Sequence, residues 1–338
     1  MNTQIVIKKY LILVVLVFVF AIAGYYWFNH TSPQKYTGPV EKITIGTIAD
    51  YSTLVMLAQE RGYFKDNGLD VKTIEHSSGA PAFADLLAGK ADVVLAADFV
   101  GVLNSFKTED FKIIATITKV TDGFEVVARK DHGIATPADL KGKKIGVTKK
   151  TSGEFWLGTF LIFNNLLPQS ITIVDFPPDG LEAAIVKGDI DAVLTFEPHI
   201  FDIKKSLGER AIHWSGQNGR NMYPSLFATT DIVKNHPQTI ERLIRALVQA
   251  EEFVTNNHDE AMKLIAERFH HDDAYMQSVI PKFKFTVSLD QAMLISMEDQ
   301  AQWIIANKLT DKSVIPHYLD YMYTDALRKI NRDAVTIY

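Results

Sequence analysis

AQERGYFKDNGLDVKTIEHSSGAPAFADLLAGKADVVLAAD, residues Ala58 to Asp98, is the stretch that decides the fold. A helix runs into Glu60 and Arg61 and stops at Gly62, with Tyr63 and Phe64 behind it. Asn67 and Gly68 make a turn, since both residue types tolerate positive φ. Leu69 to Ile74 alternates apolar and polar residues, as a strand does. Ser77-Ser78-Gly79 caps a helix expected over residues 80–88, and Gly89 closes it in the manner of a C′ glycine. The short apolar run at 91–96 carries the pattern of a buried parallel strand. Strand and helix alternate, so the fold class is α/β with right-handed crossovers.

The same order recurs further along. Residues 143–147 read as a strand, Thr151-Ser152-Gly153 as a cap, and residues up to about 165 as a helix. A strand at 171–174, a helix from Asp179 to Gly188 and a strand at 191–194 follow. LLAGKADVVLAAD and IVKGDIDAVLTFEP share nearly the same spacing from helix-stop glycine to strand to acidic residue. Two such units, with matched loops at the carboxyl ends of their strands, predict two lobes facing a cleft. Ligands of open α/β sheets sit at those strand ends.

GYFKDNGLDV, LLAGKADVV, ADLKGKKIGV and DAVLTFEP, in this order from about Glu41 onward, resemble the solute-binding proteins of the nitrate, sulfonate, taurine and thiamine-precursor type that serve ABC importers. The resemblance implies a two-lobed type II periplasmic-binding fold, each lobe a mostly parallel sheet flanked by helices. It also implies closure on a small molecule. In this reading residues 41–125 with 230–338 form the first lobe and residues 126–229 the second. The crossings near 126–129 and 226–229 act as the hinge.

Length and composition agree. The 338 residues suit two lobes. The 35 basic and 40 acidic residues leave a net charge of -5, which gives no case for a nucleic-acid partner. The chain has no cysteine, so disulfides, thiolate metal sites, a cysteine nucleophile and a lipid-bearing cysteine are all excluded. No cofactor or metal is expected, and a monomer is. His270-His271-Asp272-Asp273 invites a metal reading, but adjacent histidines on a helix point apart.

Lys8 and Lys9 precede an apolar run over residues 10–28. Residues 11–20 could be a signal-peptide core with Ala21-Ile22-Ala23 as the cleavage site. Residues 24–28 prolong the run to membrane-crossing length and add aromatic residues where an interfacial belt would lie, which favours an uncleaved anchor. Either reading exports the rest of the chain, to the periplasm or the outer face of the cytoplasmic membrane. Residues 29–40 read as a linker.

The strand-end loops supply the candidate ligand-binding residues: Asp50, Tyr51, Ser78, Gly79, Asp98, Phe99, Thr151, Ser152, Glu154, Phe155 and Glu197, with Asp122 beside them. Ser78 and Thr151 could cap helices and nothing more. A helix start pointing into a cleft also offers free N–H groups to a ligand. Tyr51, Phe99, Phe155, Trp156 and Phe196 could stack on a flat ring. Acids at the cleft repel a bare anion, at a cost on the order of several kcal/mol. The expected ligand is therefore neutral, amine-bearing or zwitterionic, such as an aminopyrimidine. The expected function is non-enzymatic capture of a small polar or heteroaromatic solute for an ABC permease. A membrane-tethered sensor is the alternative. An enzyme making the thiamine pyrimidine resembles this fold too, but it depends on a cysteine-rich motif that this chain lacks.

Overall fold

The computed structural model describes residues 35–337. Residues 35–39 form no helix or strand and fall outside the body that begins at Val40. The apolar run expected as signal peptide or anchor lies outside the described residues. Among the described residues, no helix is long and apolar enough to cross a membrane.

The body holds two sheets. The first comprises β1 (Glu41–Thr47), β2 (Leu69–Glu75), β3 (Val93–Ala97), β4 (Phe111–Thr121), β10 (Asn221–Met222), β11 (Pro224–Thr229) and β12 (Phe283–Ser288), in the order β10-β4-β11-β3-β1-β2, with β12 also paired to β4. The second comprises β5 (Phe124–Arg129), β6 (Lys144–Val147), β7 (Thr172–Asp175), β8 (Ala192–Phe196) and β9 (Ala211–Ser215), in the order β7-β6-β8-β5-β9. The repetition read in the sequence reappears here: β2-β1-β3 and β7-β6-β8 are both parallel triplets.

Neither sheet is mostly parallel, however. Beyond each triplet the pairing turns antiparallel, β11 on β3 and β4, and β5 on β8 and β9. A segment that returns from the other lobe enters beside a triplet strand without a helical crossover, so it can run the opposite way. The crossings also differ from expectation. The chain changes sheets at Asp122 and Gly123 and again between β9 and β10, so residues 126–129 lie inside the second sheet and 224–229 inside the first.

Local sequence explains the elements. Strand β3, VVLAA, is buried along nearly its whole length, as a strand covered on both faces must be. Gly62, Gly68, Gly89 and Gly188 sit at positive φ and end elements where the sequence placed stops. Helix Pro237–Asn256 buries Ile240, Leu243, Ile244 and Leu247, one face of an amphipathic pattern. Each such side chain contributes roughly 1.5–3 kcal/mol when removed from water. The C-terminal tail, weakly patterned in sequence, packs on the first sheet. The Tyr321 ring lies 4.9 Å from that of Phe111, and the Tyr323 N–H donates to the Ile113 carbonyl at 2.9 Å.

Candidate functional site

A cleft lies between the two sheets, at the carboxyl ends of the parallel triplets, and encloses about 680 Å³ of empty space, open solvent included. On the side of the first sheet Ile48, Tyr51, Ser78, Gly79, Ala80, Leu95, Val100 and Met222 line it. On the side of the second come Phe124, Thr148, Thr151, Ser152, Gly153, Pro178, Leu194, Thr195 and Phe196. The walls are largely aliphatic and aromatic. The polar groups are hydroxyls and the starts of two helices, Gly79–Leu87 and Ser152–Phe163.

These helix starts are placed by strand ends. Ser78 follows β2 in an extended conformation and makes no side-chain cap, so its hydroxyl is left for the cleft. A Cβ on Gly79 would stand 3.0 Å from the Ala96 Cβ, so glycine lets this helix begin closely against the end of β3 without displacing it. Thr151 behaves differently. Its hydroxyl accepts from the Gly153 N–H at 3.1 Å and donates to the Thr148 carbonyl at 2.7 Å. Thr148 in turn donates to the Phe176 carbonyl. Tyr51 is buried, and its hydroxyl reaches across to the Glu197 carbonyl at 3.2 Å. Burial, and then the charges of Glu197 and Asp50, push its pKa well above the ordinary phenol value.

The structure thus brings Tyr51, Ser78, Gly79, Thr151 and Ser152 together on the cleft. It takes the candidate acids elsewhere. Asp50 accepts from Tyr275 and pairs with His271 Nε2 at 2.6 Å. Asp98 accepts from Gln300 at 2.7 Å and Ser296 at 3.2 Å; burial pushes its pKa up to about 6 despite these bonds. Glu197 accepts from Lys282 at 2.7 Å and from the Phe201 N–H at 3.0 Å, following a cis peptide to Pro198. Glu154 accepts the Lys150 N–H at 2.7 Å, and Asp122 accepts from Ser215. Phe99 and Phe155 stack on one another, with ring centres 5.6 Å apart, and close with Trp303 into an aromatic cluster joining the lobes. None of these seven residues is on the cleft lining. The expectation of an amine-bearing ligand rested on acids facing the cleft, and that premise does not hold.

Behind the cleft, Lys282, just before β12, bridges Glu125 of β5 and Glu197 after β8 at 2.6 and 2.7 Å. Burial, with the neighbouring Glu125 charge, raises the Glu197 pKa against the pull of Lys282. At Glu125 burial is outweighed by Lys282, Lys204 and His213, and the carboxyl is held below its ordinary value. His271, once a metal candidate, is committed to Asp50, and no group of three potential ligands that could hold a metal occurs among the described residues.

Sequence reasoning missed Thr148, Thr195, Phe124 and the apolar walls. Thr195 carried one signal: it is the single polar residue in the buried run AVLTF of β8.

Two mixed sheets flanked by helices, with a cleft at their strand ends, define a periplasmic-binding-protein-like fold. The chain belongs to the NMT1/THI5 like family, which matches residues 49–261. It is 25% identical over 313 residues to a Bacillus subtilis (strain 168) protein provisionally named an aliphatic sulfonates-binding protein, covering 91% of this chain and 92% of that one. The alkanesulfonate-binding protein of Xanthomonas axonopodis pv. citri, solved bound to MOPS, superposes with a TM-score of 0.73 at 18% identity, over 85% of this chain and 99% of that one. The desulfurization enzyme DSZB has the same fold, with a TM-score of 0.64 at 16% identity, over 87% and 99% of the two chains.

Proposed function

We propose that this chain is an extracytoplasmic solute-binding protein that captures a small organic monoanion of the sulfonate kind and hands it to an ABC permease. The observation that carries this reading is the polar lining of the cleft: two helix starts and several hydroxyls, with no carboxylate among the described lining residues. Each helix N-terminus is worth roughly 0.3–1 kcal/mol for an anion at an exposed site, and up to about 2 in a partly buried one. Among the described lining residues there is no lysine or arginine, so one negative charge suits the cleft better than two. Apolar walls from Ile48, Val100, Phe124, Leu194 and Met222 would take an aliphatic or ring-bearing tail.

In the same reading the export segment places the body in the periplasm or on the outer face of the membrane, the lobes exchange solute by opening and closing, and the solute leaves unchanged. The names of the sulfonate-binding relatives support binding over turnover. Calorimetric titration of the purified full-length protein tests it. We expect a short alkanesulfonate to bind and an aminopyrimidine not to bind. Tight aminopyrimidine binding would overturn the ligand class. Conversion of the sulfonate to sulfite would overturn the binding-only reading in favour of desulfurization.

A further inference from the structure

We infer that Gln217 is a positioning residue of the cleft: its side-chain amide ties together the two segments that carry the chain between the sheets, and so fixes the setting in which the cleft opens and closes. This rests on the proposed opening and closing, not on the ligand class. The chain passes from β4 to β5 through Asp122 and Gly123, and from β9 to β10 through residues 216–220. Gln217, in the second passage, is 0% exposed. Its Oε1 accepts from the Phe124 N–H at 2.9 Å, and its Nε2 donates to the Val120 carbonyl at 2.9 Å and to the Arg220 carbonyl at 2.9 Å. One N–H and two carbonyls call for a group that accepts once and donates twice, which an amide does and a carboxylate does not. Val120 and Phe124 flank the first passage and Arg220 ends the second, so one buried side chain holds both.

Other bonds stitch the same two passages. The Gly216 N–H donates to the Phe124 carbonyl at 2.8 Å, and the Thr121 hydroxyl donates to Asn221 Oδ1 at 2.8 Å. Asp122 accepts from the Ser215 hydroxyl, which itself accepts from the Asn218 N–H at 3.1 Å. Asn218 and Gly219 are both at positive φ, and the Arg220 N–H donates to the Gln217 carbonyl at 3.1 Å, the pattern of a tight Asn-Gly hairpin turn. From that turn Arg220 reaches the helix Ser152–Phe163. It donates to the Thr159 hydroxyl at 3.0 Å, and its guanidinium lies 5.0 Å from the centre of the Trp156 ring and 5.5 Å from that of Phe155. The start of this helix lines the cleft. Gln217 thus holds the carbonyl of the residue that braces a cleft helix, although it does not line the cleft itself. A hinge works through a few residues that absorb the change in φ and ψ. With the Gln217 amide in place, the two passages move as one.

The chain has no cysteine, so spin labels at Lys72→Cys on β2 and Lys187→Cys just before β8, both exposed positions, report the distance between the sheets in the full-length protein. Pulsed electron resonance gives its distribution with and without pentanesulfonate. Gln217→Met keeps the length and loses all three bonds; Gln217→Glu keeps only the acceptor. Ile265→Ala, buried on helix His258–Phe269, is a control that lowers stability away from both passages. We expect the ligand-free distribution of Gln217→Met to be about twice as wide as the parent's, and its pentanesulfonate affinity about fivefold weaker, because fewer molecules stand ready to close. Gln217→Glu should fall between the two, and it carries the test where the methionine variant does not fold. Ile265→Ala should lower the melting temperature and keep the parent's width and affinity. Gln217 variants with the parent's distance distribution overturn the inference. So does an equal broadening in Ile265→Ala, which is what a merely structural role gives. A parent that binds no pentanesulfonate overturns the proposed ligand class and leaves the distances to decide this inference.

Discussion

The cleft and the charged cluster behind it lie at the ends of the same strands and solve opposite problems. Behind the cleft, Glu125 and Glu197 are buried and paired with the half-buried Lys282. On the cleft, the Ser78 hydroxyl makes no cap. Charged groups cannot remain buried and unpaired, because desolvation costs several kcal/mol per ion. Hydroxyls can, at a lower cost. A strand end that must wait for a ligand therefore keeps neutral groups in reserve and ties its charges down elsewhere.

The strongest way to break this comparison is to untie the charged side. Lys282→Met leaves two buried glutamates facing each other, and removing one partner of a buried pair costs on the order of 3–5 kcal/mol. We expect unfolding free energy to fall by about 3 kcal/mol, the low end, since Lys282 keeps some solvent contact. Denaturant titration measures it. Adding Glu197→Gln should recover part of the loss. A Lys282→Met protein as stable as its parent would show that the cluster is not tied down as described.

Asp98 sharpens the comparison from the acid side. Its pKa is raised by burial to about 6, from 3.8 in the free residue. Between these values the folded state holds a proton that the unfolded chain has released. Its stabilising contribution is thus fully present below about pH 4 and is lost as the pH rises through about 6. The difference amounts to about 3 kcal/mol. Asp98→Asn, which has no such proton, should lack this slope and gain on the parent as the pH rises. Paired thermal melts at pH 4.5 and pH 7 check it. Parallel pH dependence in both proteins would mean that the carboxyl is not held in the buried setting the geometry describes.

The alternation of strand, glycine stop and helix was readable because each signal is local. The run at 91–96 and the turn glycines needed no distant partner to be interpreted. Strands β9 and β12 were not foreseen. Both are held by antiparallel pairing to residues far along the chain, Phe283 with Val120 and Ser215 with Glu125 among them. The site divides in the same way. Being at a strand end identified Tyr51, Ser78, Gly79, Thr151 and Ser152 as cleft residues. It could not reveal that the acids beside them had distant partners: His271 lies 221 residues from Asp50, Gln300 202 from Asp98 and Lys282 85 from Glu197. Proximity in sequence located the loops, and only tertiary packing decided which side chains were already spoken for.

The smallest effects separate the two helix starts, Ser77-Ser78-Gly79 and Thr151-Ser152-Gly153, which look alike in sequence. The Thr151 hydroxyl caps its helix, holding the Gly153 N–H, while the Ser78 hydroxyl caps nothing. Thr151→Ala should therefore cost about 1 kcal/mol of stability, the usual value of a lost N-cap, with solute affinity little changed. Ser78→Ala should leave stability within a few tenths of a kcal/mol, because no folded-state bond is lost. Its cost should appear in binding instead, at about 1 kcal/mol, or roughly fivefold in alkanesulfonate affinity, if that hydroxyl meets the ligand. Melting curves and calorimetry on both variants give four numbers. If the stability loss fell on Ser78 and the binding loss on Thr151, each hydroxyl would be doing the other's work, and the division between capping and ligand contact drawn from their hydrogen bonds would be wrong.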